Sequence, residues 1–161
     1  MRQNFHEKNI QLKQDVNPDM PGVFVDSDQM QQVFINLILN SIESIKSDGE
    51  IKISVGTVNE DAARYSRKPF YSTIVNQPHV EVCIIDNGCG ISTNDLENIF
   101  NPFFTTKTLG TGLGLSIVYQ LVRENNGIIF FESEVDKGTE CHLFLPAFDQ
   151  QQNKEESGRN K

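Results

Sequence analysis

Residues 79–90 read HVEVCIIDNGCG. The first eight alternate briefly and then become almost continuously apolar, the pattern of a strand held in the middle of a sheet. The strand ends on an acid, Asp86, and passes directly into Asn87-Gly88-Cys89-Gly90. Asp-Asn-Gly is a common turn sequence. It also suits a site, because Gly88 and Gly90 let the backbone approach a flat ligand, while Asp86 can accept a hydrogen bond from a base.

Upstream of this strand, residues 50–56 (EIKISVG) alternate as a second strand. Ser47-Asp48-Gly49 ends a long helix that starts at the capping residues Asp26, Ser27 and Asp28 and runs to about Lys46. Its apolar residues Val33, Phe34, Leu37, Ile38, Ile42 and Ile45 recur at helical spacing. Residues 8–16 and 23–25 read as short strands around the turn cluster NPDMPG, and residues 57–78 as a long polar excursion without period.

Downstream, Ser92 and Asp95 form a capping box for a short helix reaching Asn98. Residues 101–110 have no period, and 113–125 are helical until Asn126-Gly127 stops them. Strands at 128–133 and 139–145 follow, joined by a turn at Asp136-Lys137-Gly138. The order β-β-α-β-β-α-α-β-β predicts an α/β (α+β) two-layer sandwich, a mixed sheet with helices on one face. The domain spans 1–148. Residues 149–161 contain no apolar side chain and are expected to be a disordered tail.

With 161 residues and a net charge of −8, the chain fits one domain. No more than two basic residues are adjacent (Arg67-Lys68), which argues against a nucleic-acid surface. Backbone N–H groups can still hold a phosphate without basic side chains. Cys83, Cys89 and Cys141 make no C-x-x-C pair, and Cys83 and Cys141 fall in strands as small core residues. No window holds 18 apolar residues and no leader is visible, so the fragment is expected to be cytoplasmic and free of membrane contact, although its parent can be membrane-anchored.

Three further groups carry chemistry. Asn36, Asn40 and Glu43 fall within about 60° of one another on the helix face opposite the apolar stripe. A solvated face is the ordinary reading of such a trio. Two mid-helix asparagines lower helix propensity, however, and an Asn oxygen is a hard ligand suited to Mg²⁺. Gly110-Thr111-Gly112-Leu113-Gly114-Leu115 opens a helix and can form an anion site, although it has neither Rossmann nor Walker spacing. Between these lies FNPFFTTK, residues 100–107. Phe100 and Phe103 can be core residues, but the loop also suits a mobile lid with Lys107 reaching a terminal phosphate.

QVFINLILNSIESI (32–45), DNGCGI (86–91), IFNPFFTTK (99–107) and GTGLGLSIV (110–118) resemble, in this order, the N, G1, F and G2 boxes of sensor histidine kinases, and KGTECHLFLP (137–146) resembles the last strand of that family. The resemblance implies the Bergerat-type ATP-binding fold shared by gyrase, Hsp90, histidine kinase and MutL ATPases, with ATP and Mg²⁺ as cofactors. It implies Asn40 as the Mg²⁺ ligand, Asp86 as the adenine-binding carboxylate and Thr139 on the adenine side. Gly88, Gly90, Gly110, Gly112 and Gly114 match the lid and phosphate glycines. Asn36, Glu43, Ile91, Phe100, Thr106, Thr111, Leu113 and Leu115 complete the implied nucleotide contacts, and Lys107 is the side chain with an implied catalytic role.

Asn36 stands where the topoisomerase-like relatives carry a glutamate that activates water. An amide cannot remove a proton at neutral pH, so the resemblance implies transfer rather than hydrolysis. The implied acceptor is a histidine on a helical hairpin of the parent kinase, with a response regulator downstream and this fragment monomeric. His6-Glu7-Lys8-Asn9 resembles the acceptor motif but lacks its proline, and about thirty residues before Asn36 leave no room for two helices. His79 and His142 are read as strand residues without catalytic roles. The alternatives are a serine-directed kinase of the same fold and a nucleotide-responsive interaction module.

Overall fold

The structure, a computed structural model, describes residues 8–58, 62–108 and 110–148. His6 and the 149–161 segment lie outside the described residues. Among the described residues five strands form one sheet: β1 (Gln11–Val16), β2 (Glu50–Thr57), β3 (His79–Asp86), β4 (Ile128–Glu134) and β5 (Gly138–Pro146). Their spatial order is β1-β2-β3-β5-β4. Only the β1–β2 pairing is parallel; the others are antiparallel. The apolar run at 79–86 does occupy the centre.

The helices are α1 (Ser27–Ser44), α2 (Tyr71–Asn76), α3 (Thr93–Leu96) and α4 (Gly114–Glu124). Of the three candidate caps for α1, Asp26 takes the role, accepting hydrogen bonds from the N–H groups of Asp28 and Gln29. α1 and α4 lie on one face of the sheet. Val33, Val118 and Val122 are fully buried where they meet, each contributing about 1.5–3 kcal/mol by leaving water. Asn125 at the end of α4 ties this layer together: its Oδ1 accepts from Asp26 N at 2.7 Å and its Nδ2 donates to Gln29 Oε1 at 2.6 Å.

Two expectations need correction. Residues 23–25 form only an isolated bridge, Val23 to Ala147. The short stretch between Gly22 and the helix cap leaves no length for a ladder. The 57–78 excursion is not merely a loop: within it a 3₁₀ turn (Ala62–Tyr65) and α2 cover part of the sheet face away from α1 and α4. Tyr65, Phe70 and Ile74 pack there with Phe144 and Phe130. The apolar residues of this segment, sparse in sequence, find partners only because β4 and β5 present aromatic side chains on that face. Here Tyr65 Oη donates to Glu81 Oε1, which also meets His142 Nδ1 at 2.9 Å. Burial pushes the Glu81 carboxyl up, but the bonds from His142 and Tyr65 and the charge of Arg64 outweigh it and hold the group below its ordinary value.

Candidate functional site

Strand register assembles one end of the site. Asp86 at the end of β3 pairs with Thr139 on β5, and both side chains are buried on the helix face. Asp86 Oδ1 accepts from Gly88 N at 2.9 Å and lies 3.0 Å from Ser44 Oγ, at the end of α1. Asn87 bonds the backbone of Glu50 on β2, and Cys89 N donates to Ser44 O. The five-residue turn is thereby clamped between α1, β2 and the β4–β5 hairpin.

Two glycines in this region have a structural reason that the sequence did not show. Gly90 has φ +68°, and a Cβ on it would stand 2.1 Å from the carbonyl oxygen of Glu134. Gly138, at φ +116°, would place a Cβ 1.9 Å from the carbonyl of Asp86. Both allow two backbones to cross. Gly88 likewise makes room for Ser44. Gly88 and Gly90 are expected to let a ligand approach, and Gly138 to turn the chain; in the fold all three also serve the scaffold that holds Asp86.

Helix α1 supplies the opposite wall. Asn36, Asn40 and Ser44 lie at intervals of four residues and therefore along one stripe. Lys107 Nζ donates to Asn40 Oδ1 at 3.0 Å and pairs with Glu43 Oε2 at 2.5 Å. Asn36 meets the start of α4, its Oδ1 lying 3.2 Å from where a Cβ on Gly114 would stand. The N-cap residue of α4 is Leu113, and among the described residues no side chain caps the helix. Its first-turn N–H groups are thus left to other partners, beside Gly114 and Leu115 in the cleft wall.

These elements enclose a cleft of about 560 Å³. It brings together Asn36, Asn40, Glu43, Asp86, Gly90, Ile91, Thr106, Lys107, Gly110, Thr111, Gly112, Gly114, Leu115 and Thr139. Three expected residues stand outside its wall. Gly88 lies beneath, Leu113 precedes α4, and Phe100 packs on Tyr119 and Phe131 with ring centres 4.8 and 5.7 Å away. The cleft also includes Ser44, Phe131 and Cys141, which sequence reasoning passed over. Ser44 was legible as the next member of the Asn36–Asn40 stripe. Phe131 and Cys141, paired across β4 and β5, depend on strand register and carried no local signal.

Residues 25–149 match the family of histidine kinase-, DNA gyrase B-, and HSP90-like ATPases. The chain belongs to this family. It is 38% identical to the sensor kinase CckA of Brucella abortus over 86% of this chain and 15% of that protein. It is 34% identical to sporulation kinase E of Bacillus subtilis over 92% of this chain and 17% of that protein. The nucleotide-free catalytic domain of histidine kinase ThkA superposes with a TM-score of 0.69 at 29% identity, covering 91% of this chain and 84% of that one. The protein is thus a histidine-kinase-type ATP-binding catalytic domain. It spans between 15% and 38% of the length of the curated relatives it matches. Among the described residues no helix is long and apolar enough to cross a membrane.

Proposed function

We propose that the cleft binds Mg²⁺-ATP and delivers the γ-phosphoryl group to a histidine on a separate helical hairpin of a parent sensor kinase. One observation carries this reading: α1 acts as a ruler. Ser44 meets Asp86, Asn40 meets Lys107, and Asn36 meets the uncapped start of α4. At 1.5 Å per residue these stations span about 12 Å along the helix, suited to an extended nucleoside triphosphate with its base at Asp86 and its phosphates at α4.

Asp86 would accept the amino proton of adenine through the carboxylate oxygen not engaged by Gly88. The α4 N–H groups would hold phosphate oxygens. The Asn40 amide oxygen and Glu43 carboxylate form a hard-oxygen pair, and the Lys107 ammonium already stands against them as a stand-in cation. That donor set fits Mg²⁺, which would neutralise phosphate charge there. Lys107 would exchange this ion pair for the terminal phosphate. In the transfer, a nitrogen of the acceptor imidazole attacks the γ-phosphorus, the bond to the β–γ bridging oxygen breaks, and ADP leaves. Catalysis rests on positioning and charge neutralisation. Asn36 supplies no base for water, so hydrolysis should be slow.

Labelled ATP tests this with the chain alone, with the hairpin domain of its own parent protein, and with that hairpin after replacement of its histidine. Acid-labile label on the intact hairpin alone is expected. Transfer will be slow, because a mixed reaction lacks the roughly millimolar effective concentration of a linked domain. Acid-stable label on the chain itself would move the assignment to serine or threonine chemistry.

A further inference from the structure

On the sheet face away from the cleft, β4 and β5 set Glu132 and Glu140 directly opposite each other. Like charges at such a position repel. Lys68 Nζ answers Glu132 at 2.8 Å. His142, two residues along β5 from Glu140 and so on the same face, is 0% exposed and stacked on Phe130 with ring centres 4.6 Å apart.

The Nδ1 atom of His142 makes its shortest contact, 2.9 Å, with Glu81 Oε1. Arg64 and Tyr65 approach the same nitrogen at 3.3 Å. An ionised carboxylate only accepts, so Nδ1 is the nitrogen that donates to Glu81, and Nε2 is the ring atom turned toward Glu140. That buried Nε2 has no hydrogen-bond partner among the described residues, and Glu140 Oε2 stands 3.6 Å from it. A buried ring nitrogen without a hydrogen-bond partner thus faces a carboxylate oxygen across a gap that a metal ion would bridge.

We propose that Glu132, Glu140 and His142 bind one divalent transition-metal ion of the Zn²⁺ class, with Glu81 as the carboxylate orienting the histidine. One ligand atom from each lies within 4.8 Å of the others. A tetrahedral site with bonds of 2.0–2.2 Å spaces its ligands about 3.4 Å apart, which two flexible, half-exposed carboxylates reach by turning inward. A histidine that ligates a metal through one nitrogen and donates the other N–H to a carboxylate is the usual arrangement. Imidazole combined with carboxylates favours zinc-like ions over Mg²⁺ or Ca²⁺. The fourth position is left to water. The ion would join β4 to β5 and relieve the opposed charges, and it does not depend on the nucleotide reading of the cleft.

Replacing His142 risks the core, so the decisive variants are Glu132→Gln, Glu140→Gln and Glu81→Gln. Chelator-treated protein would be titrated with Zn²⁺ by calorimetry and with Co²⁺ by visible absorption. The expected result is a site occupied by one ion in the unaltered chain, weakened at least about tenfold by Glu132→Gln or Glu140→Gln and about 10- to 100-fold by Glu81→Gln. Imidazole ¹⁵N spectra should show the Nε2 signal of His142 shifted by zinc, with Nδ1 still carrying its hydrogen. The site is refuted by no binding up to about 1 mM zinc, or by affinity indifferent to the two facing glutamates.

Discussion

β3 and β5 have two faces built from alternate residues of the same strands, and their polar groups meet opposite fates. Facing the helices, Asp86 and Thr139 sit at the strand ends where β3 leaves the core, beside a cleft walled by α1 and α4. Facing the other way, Glu81 and His142 sit in mid-strand beneath the 57–78 excursion, bonded to each other and to Tyr65. A polar group at a strand end can keep acceptor capacity for a ligand. In mid-strand, burial without a partner is costly, and there the protein bonds Glu81 and the Nδ1 of His142 itself, leaving Nε2 of His142 as the atom assigned to a metal ion. Position along the strand thus separates the acid left open toward the cleft from the acid bonded within the protein.

The largest contrast should appear in thiol chemistry. Cys83 lies on the far face, its thiol pushed up to about 12 by burial, and burial likewise raises buried Cys141. Cys89 is exposed in the cleft. A shift from 9.0 to about 12 lowers the thiolate population about a thousandfold at neutral pH. Mass spectrometry after brief alkylation of native protein should find label on Cys89, reduced by Mg²⁺-ATP, and none on Cys83. Equal labelling would break the contrast.

Asp86→Asn should weaken ATP binding by about 10- to 150-fold, the worth of a charge-assisted hydrogen bond of about 1.5–3 kcal/mol. Calorimetry showing unchanged affinity would remove Asp86 from the base site. Tyr65→Phe should do the converse. Losing its bond to the Glu81 carboxylate should lower folding stability by about 1.5–3 kcal/mol in urea titration while leaving ATP affinity alone. A large loss of affinity there would show that the two faces are coupled.

The smallest effect is expected at Lys107. Its pair with Glu43 is about half exposed, so Lys107→Ala should change stability by less than about 1 kcal/mol while lowering phosphotransfer to the hairpin. A stability loss well beyond that would make Lys107 a fastener of the fold, and unchanged transfer would remove it from the phosphate site.

Periodicity and turn chemistry were enough to read most elements from sequence. The apolar run at 79–86, the stripe from Val33 to Ile45 and the glycine-opened helix each declare themselves within one window, because local geometry repeats every two or 3.6 residues. The same locality exposed Asn36, Asn40, Glu43 and Asp86 as candidates. It could not show which glycines serve the scaffold, since the oxygens that exclude a Cβ at Gly90 and Gly138 belong to Glu134 and Asp86, more than forty residues away in sequence. Nor could it fill the 57–78 segment, whose Tyr65 and Phe70 gain a reason only against Phe130 and Phe144. The sequence by itself determined most of the elements, their order along the chain and the candidate polar groups. The tertiary structure alone decided that Lys107 reaches Asn40 and Glu43, that Phe131 and Cys141 wall the cleft, and that a buried histidine nitrogen faces two glutamates. Those facts depend on register and on long-range packing, which join residues that no local period connects.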